Sequence, residues 1–203
     1  DGVRINVTNA SATARFCIVT LIGGDATNVN VNYTPVLGTS AGDTVITSVG
    51  FEADLIMTSC IGFGSVNTAN RHHILSRGIA VNDGSNSNFM LGDFSAGNLS
   101  TTNTGQYVSD AYSIGQYFSD TLSWAASIAS YTSSGFTITT NAGTGDDIAA
   151  YIAIKFANTF IEAQIEDAPT TTGSKSFGAT SSTPNFLHIL GSGATALNTV
   201  TAG

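Results

Sequence analysis

Residues 135–157, GFTITTNAGTGDDIAAYIAIKFA, constrain the fold of this chain more than any other stretch. Phe136 and Ile138 alternate with threonines, the pattern of a strand with one buried face. Residues 141–147 are turn chemistry: Gly143 and Gly145 tolerate positive φ, and Asp146 and Asp147 can bond local backbone. Residues 149–156 are then apolar on both faces, as in a strand covered from both sides. The expected product is a β-hairpin. Residues 2–21 repeat the order, with Val3, Ile5 and Val7 alternating, a small polar turn over 9–13, and an apolar strand over 16–22.

The same period of two recurs along the chain. Residues 27–33 place Val29, Val31 and Tyr33 on one face, with Asn28, Asn30 and Asn32 on a face open to solvent or a partner. Residues 44–59 read as one strand bulged at Gly50, with Phe51, Ala53, Leu55 and Met57 opposite Glu52, Asp54, Ile56 and Thr58. Short strands are expected over 73–81 and 89–94, separated by the turn NDGSNSN, and a weak one over 107–118. Residues 121–131 resemble a helix opened by Asp120, but Leu122, Trp124, Ala126 and Ile128 alternate with small polar partners and decide for a strand. Further strands are expected over 160–165 and 186–190, and long polar loops over 62–70 and 96–105.

These elements predict an all-β chain: an antiparallel β-sandwich, jelly-roll-like, with long Gly/Ser/Asn-rich loops. A length of 203 residues suits a single sandwich domain. Within it, residues 1–36 resemble residues 135–170 in pattern rather than in identity.

Charged residues are only 10% of the chain, while 42% are hydrophobic and about a quarter are serine or threonine. The solubilising surface is therefore expected to be hydroxyl and amide. A net charge of −8 with six scattered basic residues leaves nothing to neutralise phosphates, so nucleic acid and anionic membrane are not expected partners. No apolar run approaches the roughly 20 residues that span a bilayer. The sequence begins at Asp1, as expected of a processed chain or a piece of a longer one.

Chemistry-bearing residues are sparse. Cys17 and Cys60 lie in no metal-ligand spacing; a buried thiol is the commoner role for each, and a disulfide between them is the alternative. His72 and His73 point to opposite faces of a strand, and His188 is distant, so no zinc site is expected. Asp25, Asp83, Asp93, Asp146 and Asp147 are expected in Gly/Asn-rich turns and could supply calcium ligands, but Asx-turn chemistry explains them without a metal. Glu52 and Asp54 are spaced to face one groove, as a glycosidase pair would, yet any half-exposed strand shows that spacing. No Gly-x-Ser-x-Gly elbow occurs. Catalytic, metal and cofactor residues are accordingly none. Tyr107, Tyr112, Tyr117 and Phe118 form an aromatic series among serines that suits either a sugar-stacking platform or core packing. With Asn28, Asn30 and Asn32 they are the candidate ligand or partner contacts.

The stretch Val49-Gly-Phe-Glu-Ala-Asp-Leu-Ile-Met-Thr-Ser59, with His73-Ile-Leu after it, resembles a pattern in structural proteins of tailed-bacteriophage virions. In those proteins a GF-x-P-D-L-V strand precedes a histidine-containing segment, and a GFT strand and an Ala/Tyr/Ile-rich strand follow much later. Gly135-Phe-Thr137 and Ala149-Ala-Tyr-Ile-Ala-Ile154 take those places here. Ala53 stands where proline is usual, and Met57-Thr-Ser replaces Trp-Ile-Lys. The resemblance implies a non-enzymatic virion component, either a capsid decoration protein or a tail-fibre module. Its partners would be other virion proteins and copies of itself, a trimer by analogy, with a host-surface glycan as the alternative ligand. It carries over no catalytic residue.

Overall fold

The computed structural model describes residues 26–37, 40–61, 73–95, 104–118, 121–143 and 147–157, together with 161, 163, 174, 198, 201 and 202. They contain strands and no helix, arranged as two antiparallel sheets packed face to face. The strands are β1 (Ala26–Tyr33), β2 (Gly42–Ile46), β3 (Leu55–Cys60), β4 (His73–Val81), β5 (Ser87–Ser95), β6 (Thr104–Ser109), β7 (Ile114–Phe118), β8 (Thr121–Thr132), β9 (Gly135–Gly143), β10 (Ala149–Phe156) and β11 (Thr201–Ala202). The large sheet runs β1-β10-β3-β4-β5-β6-β11 and the small one β2-β9-β8-β7. The β-sandwich expected from the alternation is therefore what the chain forms.

Its connections are mostly those of two meanders, β3 to β6 and β7 to β9. Successive strands switch sheets only at β1→β2→β3, β6→β7 and β9→β10. Three of these switches, β2→β3, β6→β7 and β9→β10, correct a sequence expectation. Residues 44–59 do not make one bulged strand: β2 ends at Ile46 in the small sheet and β3 starts at Leu55 in the large one. Gly50, at φ 84°, makes the corner between them, a conformation a side chain would resist. Residues 107–118 are likewise two strands in different sheets, because the Ser109 hydroxyl accepts the Ala111 and Tyr112 amides at 3.1 and 3.2 Å and turns the chain. The expected hairpin over 135–157 does not close on itself either. β9 pairs with β8 and β2, whereas β10 pairs with β1 and β3. The expected turn over 141–147 begins later than its chemistry suggested, because Asn141, Ala142 and Gly143 continue β9 beside β8, and the doubly apolar β10 is claimed by an interior position of the large sheet between β1 and β3.

The interior holds two clusters. One, between the sheets, includes Ile56, Trp124, Ile128, Phe136, Ile138 and Tyr151, with the Phe136 and Tyr151 rings edge to face at 5.2 Å. The second contains Ile74, Met90, Phe94, Tyr107 and Tyr117. The odd-numbered side chains of β3 turn to the opposite, outer face of the large sheet, where Leu55 packs with Val81 and Ile154. Ile161 and Ala163 rest on that outer cluster, and Cys60 is buried in the inner one. The expected loop over 96–105 is corrected at its end, where Thr104 and Gly105 open β6, and Ile161 and Ala163, within the strand expected over 160–165, are not in a strand. The expected hairpin over 2–21, the Cys17 partner, the first 25 residues of the repeat, the loop over 62–70, residues 96–103 and the strand over 186–190 lie outside the described residues.

Candidate interaction surface

Polar side chains inside the sandwich tie sheet to sheet and secure some of the places where the chain changes sheets. Asn88 on β5 reaches across to β8, donating to the Ile128 carbonyl at 3.1 Å and accepting the Ile128 amide at 2.8 Å. Ile128 lies beside a register shift in the β8–β9 pairing, which frees its backbone for a side-chain partner. Asp147, 2% exposed, accepts the Trp124 indole N–H, while its own backbone exchanges hydrogen bonds with Leu37. Asp54 accepts the Phe156 amide at 2.8 Å and lies 3.6 Å from the Lys155 ammonium. Glu52 instead is exposed and accepts from Asn82 at 3.2 Å. Both precede β3, and Asp54 is occupied by the end of β10, so these two carboxylates are not presented together from one strand face.

The aromatic series is brought together, but inward. Tyr107 comes from the large sheet and Tyr117 from the small one, and they meet in the interior with centroids 6.0 Å apart, 4% and 1% exposed. Phe94 packs edge-on to Tyr117 at 6.2 Å. The Tyr117 hydroxyl points at the Gly92 carbonyl, 2.9 Å away, and at that of Gly105. Gly92 is glycine because an added Cβ would meet the Tyr117 ring at 2.7 Å. Burial raises the Tyr117 pKa, helped by the negative charge of Asp93, and burial also raises that of Tyr107 against a hydrogen bond from Ser109. Tyr112 is half-buried against the same cluster. Neither Tyr107 nor Tyr117 leaves a ring face open to water, so they belong to the core alternative. Phe118 ends β7, and its side chain lies outside the described residues.

Strand β1 presents the opposite face from the one expected. Val29, Val31 and Tyr33 are 48%, 70% and 58% exposed. Asn30 turns toward the small sheet and donates to the carbonyls of Ser48 and Val49 at 3.3 and 3.5 Å. Asn28 and Asn32 are exposed, and Asn32 Oδ1 accepts the Tyr33 amide at 2.9 Å. Alternation divides a strand into two faces without saying which is inner. Here the amide face is tied down by the corner after β2, which leaves the apolar face outside. Both β1 and β2 are edge strands among the described residues, and Asn30 holds the two edges on one side of the sandwich. Val36 and Val45, 41% and 60% exposed, lie on the link and on β2. Among the described residues the exposed large apolar side chains thus flank this edge, with Ile61 the exception just past β3.

Of the expected turn aspartates, Asp83 accepts the amides of Ser85 and Ser87 and the Ser87 hydroxyl, as an Asx turn does. Asp93 instead lies inside β5, and the Asp147 carboxylate takes the indole N–H of Trp124, far from it in sequence. Among the described residues no three His, Cys, Asp or Glu side chains group to hold a metal ion. His72, His188, Asp25, Asp146 and the His73 side chain lie outside them. Against known proteins, no family model, no curated protein and no solved structure matches this chain.

Proposed function

We propose that the chain is a non-enzymatic structural component of an assembled particle, a capsid decoration or fibre module of a tailed-bacteriophage virion. The observation that carries this reading is the β1–β2 side of the sandwich. There two sheet edges lie together with Val29, Val31, Tyr33, Val36 and Val45 exposed. Monomers ordinarily guard such edges with lysine, proline or a bulge, because an open edge templates pairing with another chain. Here an irregularity at Ala26/Asn28 and Pro35 bound β1 but leave Asn28 to Tyr33 in unbroken register and without lysine. Residues 26–50 carry a single charge, Asp43. The buried polar groups serve the fold: Asn88, Asp54 and Asp147 hold sheet to sheet or strand to strand. The virion-like strand pattern supplies the kind of assembly, and with it the localisation and the partners, other virion proteins and copies of this chain. A glycan-binding role stood on the series Tyr107, Tyr112, Tyr117 and Phe118, and two of these rings, Tyr107 and Tyr117, are buried in the core.

Two measurements test the reading. Sedimentation at micromolar to millimolar concentration should show reversible self-association, and a density map of the parent particle should place neighbouring subunits against β1 and β2. A chain that stays monomeric throughout that range and turns over a substrate would overturn it.

A further inference from the structure

We infer that β1 is a homodimerisation strand, pairing antiparallel with β1 of a second copy about a two-fold axis through Asn30. This rests on the self-associating reading above and specifies its contact. The direction of this edge, the outer one among the described residues, follows from one hydrogen bond. Thr34 donates its amide to the Ala149 carbonyl, and the register from Val29↔Ile154 to Tyr33↔Ala150 is unbroken. In an antiparallel ladder a residue's N–H and C=O point the same way, and successive residues alternate. The even-numbered residues of β1 therefore address β10, and Val29, Val31 and Tyr33 direct their backbone groups outward. The Tyr33 amide is taken by Asn32 Oδ1. Val29 and Val31 keep two N–H and two C=O groups facing away from the sheet.

The occupant that fits is a second copy, for two reasons. The sequence Thr27-Asn-Val-Asn-Val-Asn-Tyr33 is nearly palindromic about Asn30. A two-fold axis there sets Val29 opposite Val31′ and Asn28 opposite Asn32′, so each outward valine exchanges both backbone bonds with the other copy's valine while apolar meets apolar. Charge gives the second reason. Two copies of a chain at −8 repel wherever their carboxylates face, and β1 bears no ionisable group apart from the Tyr33 phenol. An isologous contact closes at two copies, so the expected assembly unit is a dimer rather than the trimer implied by the resemblance.

The test is sedimentation of the whole chain beside Val29→Lys/Val31→Lys, which sets lysine opposite lysine twice across the axis. Both positions are exposed, so the variant's melting temperature at low concentration should match wild type. Its association should weaken about a hundredfold, while Thr121→Lys, on the exposed start of β8, should leave association unchanged. Hydrogen exchange of the wild type at two concentrations supplies a readout needing no variant: the Val29 and Val31 amides should gain protection on concentration. If the double variant associates as tightly as wild type, another surface makes the contact, and this inference falls while self-association stands. If the wild type is monomeric and these amides are protected at every concentration, a segment of the same chain covers the edge, and both readings fall.

Discussion

Replacing Gly78 by alanine should be among the costliest single-methyl additions in this protein. Gly78 lies in β4, where the large sheet is crossed by the link into β7. A Cβ built there would meet the Ser113 carbonyl carbon at 2.6 Å and Thr58 Oγ1 at 2.6 Å, with the Ser113 carbonyl oxygen closer still. Ordinary carbon contacts need about 3.5 Å, so the link must retreat by about 1 Å or more. The obstacle is backbone, which no rotamer change can move aside. Retreat would also strain two bonds Ser113 makes, accepting from the Thr58 hydroxyl and donating to the Ala126 carbonyl at 3.0 Å. Overpacking costs about 1–3 kcal/mol and each weakened bond about 1 kcal/mol, giving about 3–5 kcal/mol. For a chain of this size that lowers the melting temperature by about 10 °C. Thermal and urea unfolding followed by circular dichroism would measure it. Gly84→Ala is the control, because its Cβ meets nothing within 4 Å and only its φ of 86° resists substitution, a cost of about 1–2 kcal/mol. If Gly78→Ala cost no more than Gly84→Ala, the close approach of the link to β4 would be refuted.

Other outcomes follow from the same structure. Asn88→Ala should cost about 3 kcal/mol in urea unfolding, since it strands the amide and carbonyl of Ile128 in the interior. Trp124→Phe should cost about 2–4 kcal/mol by the same measurement, because it leaves a cavity where the larger indole was fully buried and removes the N–H that Asp147 accepts. Tyr117 and Tyr131 have pKa values raised above the ordinary 10.0 by burial, with Asp93 and Asp83 adding to it respectively. A folded-state pKa above the unfolded one means stability is complete below pH 10 and declines as pH rises past it. Absorbance of tyrosinate should therefore rise together with unfolding above pH 10; full ionisation of a still-folded chain would contradict it.

How much of this was legible depended on whether a signal was local. β4 matched its expected bounds, and β1, β5 and β8 differed by one or two residues, because period-two alternation is a property of the strand itself. Sheet membership is not local. Gly50 and residues 144–148 carry the same chemistry whether the chain folds back beside itself or crosses to the other sheet, and the choice was made by partners far along the chain. The tyrosines show the same limit. Spacing placed Tyr107 and Tyr117 near each other in sequence, but only the Ser109 turn sends them to opposite sheets, where they face inward. For β1, the one available clue was that Asn30 can bond backbone whereas Val29 and Val31 cannot, so a neighbouring corner with open carbonyls would draw in the asparagine face.

The abundance of serine, threonine and asparagine suggested a neutral surface, but the structure gives part of it an interior task. Thr34, Thr58, Ser76, Asn88, Ser109, Ser113 and Thr140 are all buried. A sandwich whose strands repeatedly leave one sheet for the other breaks its ladders at each departure, and the freed N–H and C=O groups must find partners. Thr34 Oγ1 accepts the Ala149 amide, Thr58 donates to the Ser113 carbonyl, and Asn88 completes the backbone of Ile128. Neutral side chains do this at a desolvation cost far below that of an ion, and a short hydroxyl or amide fits where sheets are close. Charge can then be scarce inside, with Asp54 and Asp147 as the buried carboxylates among the described residues. The absence of charged residues from β1 fits its proposed role as a pairing edge, which needs backbone groups left open and nothing charged beside them.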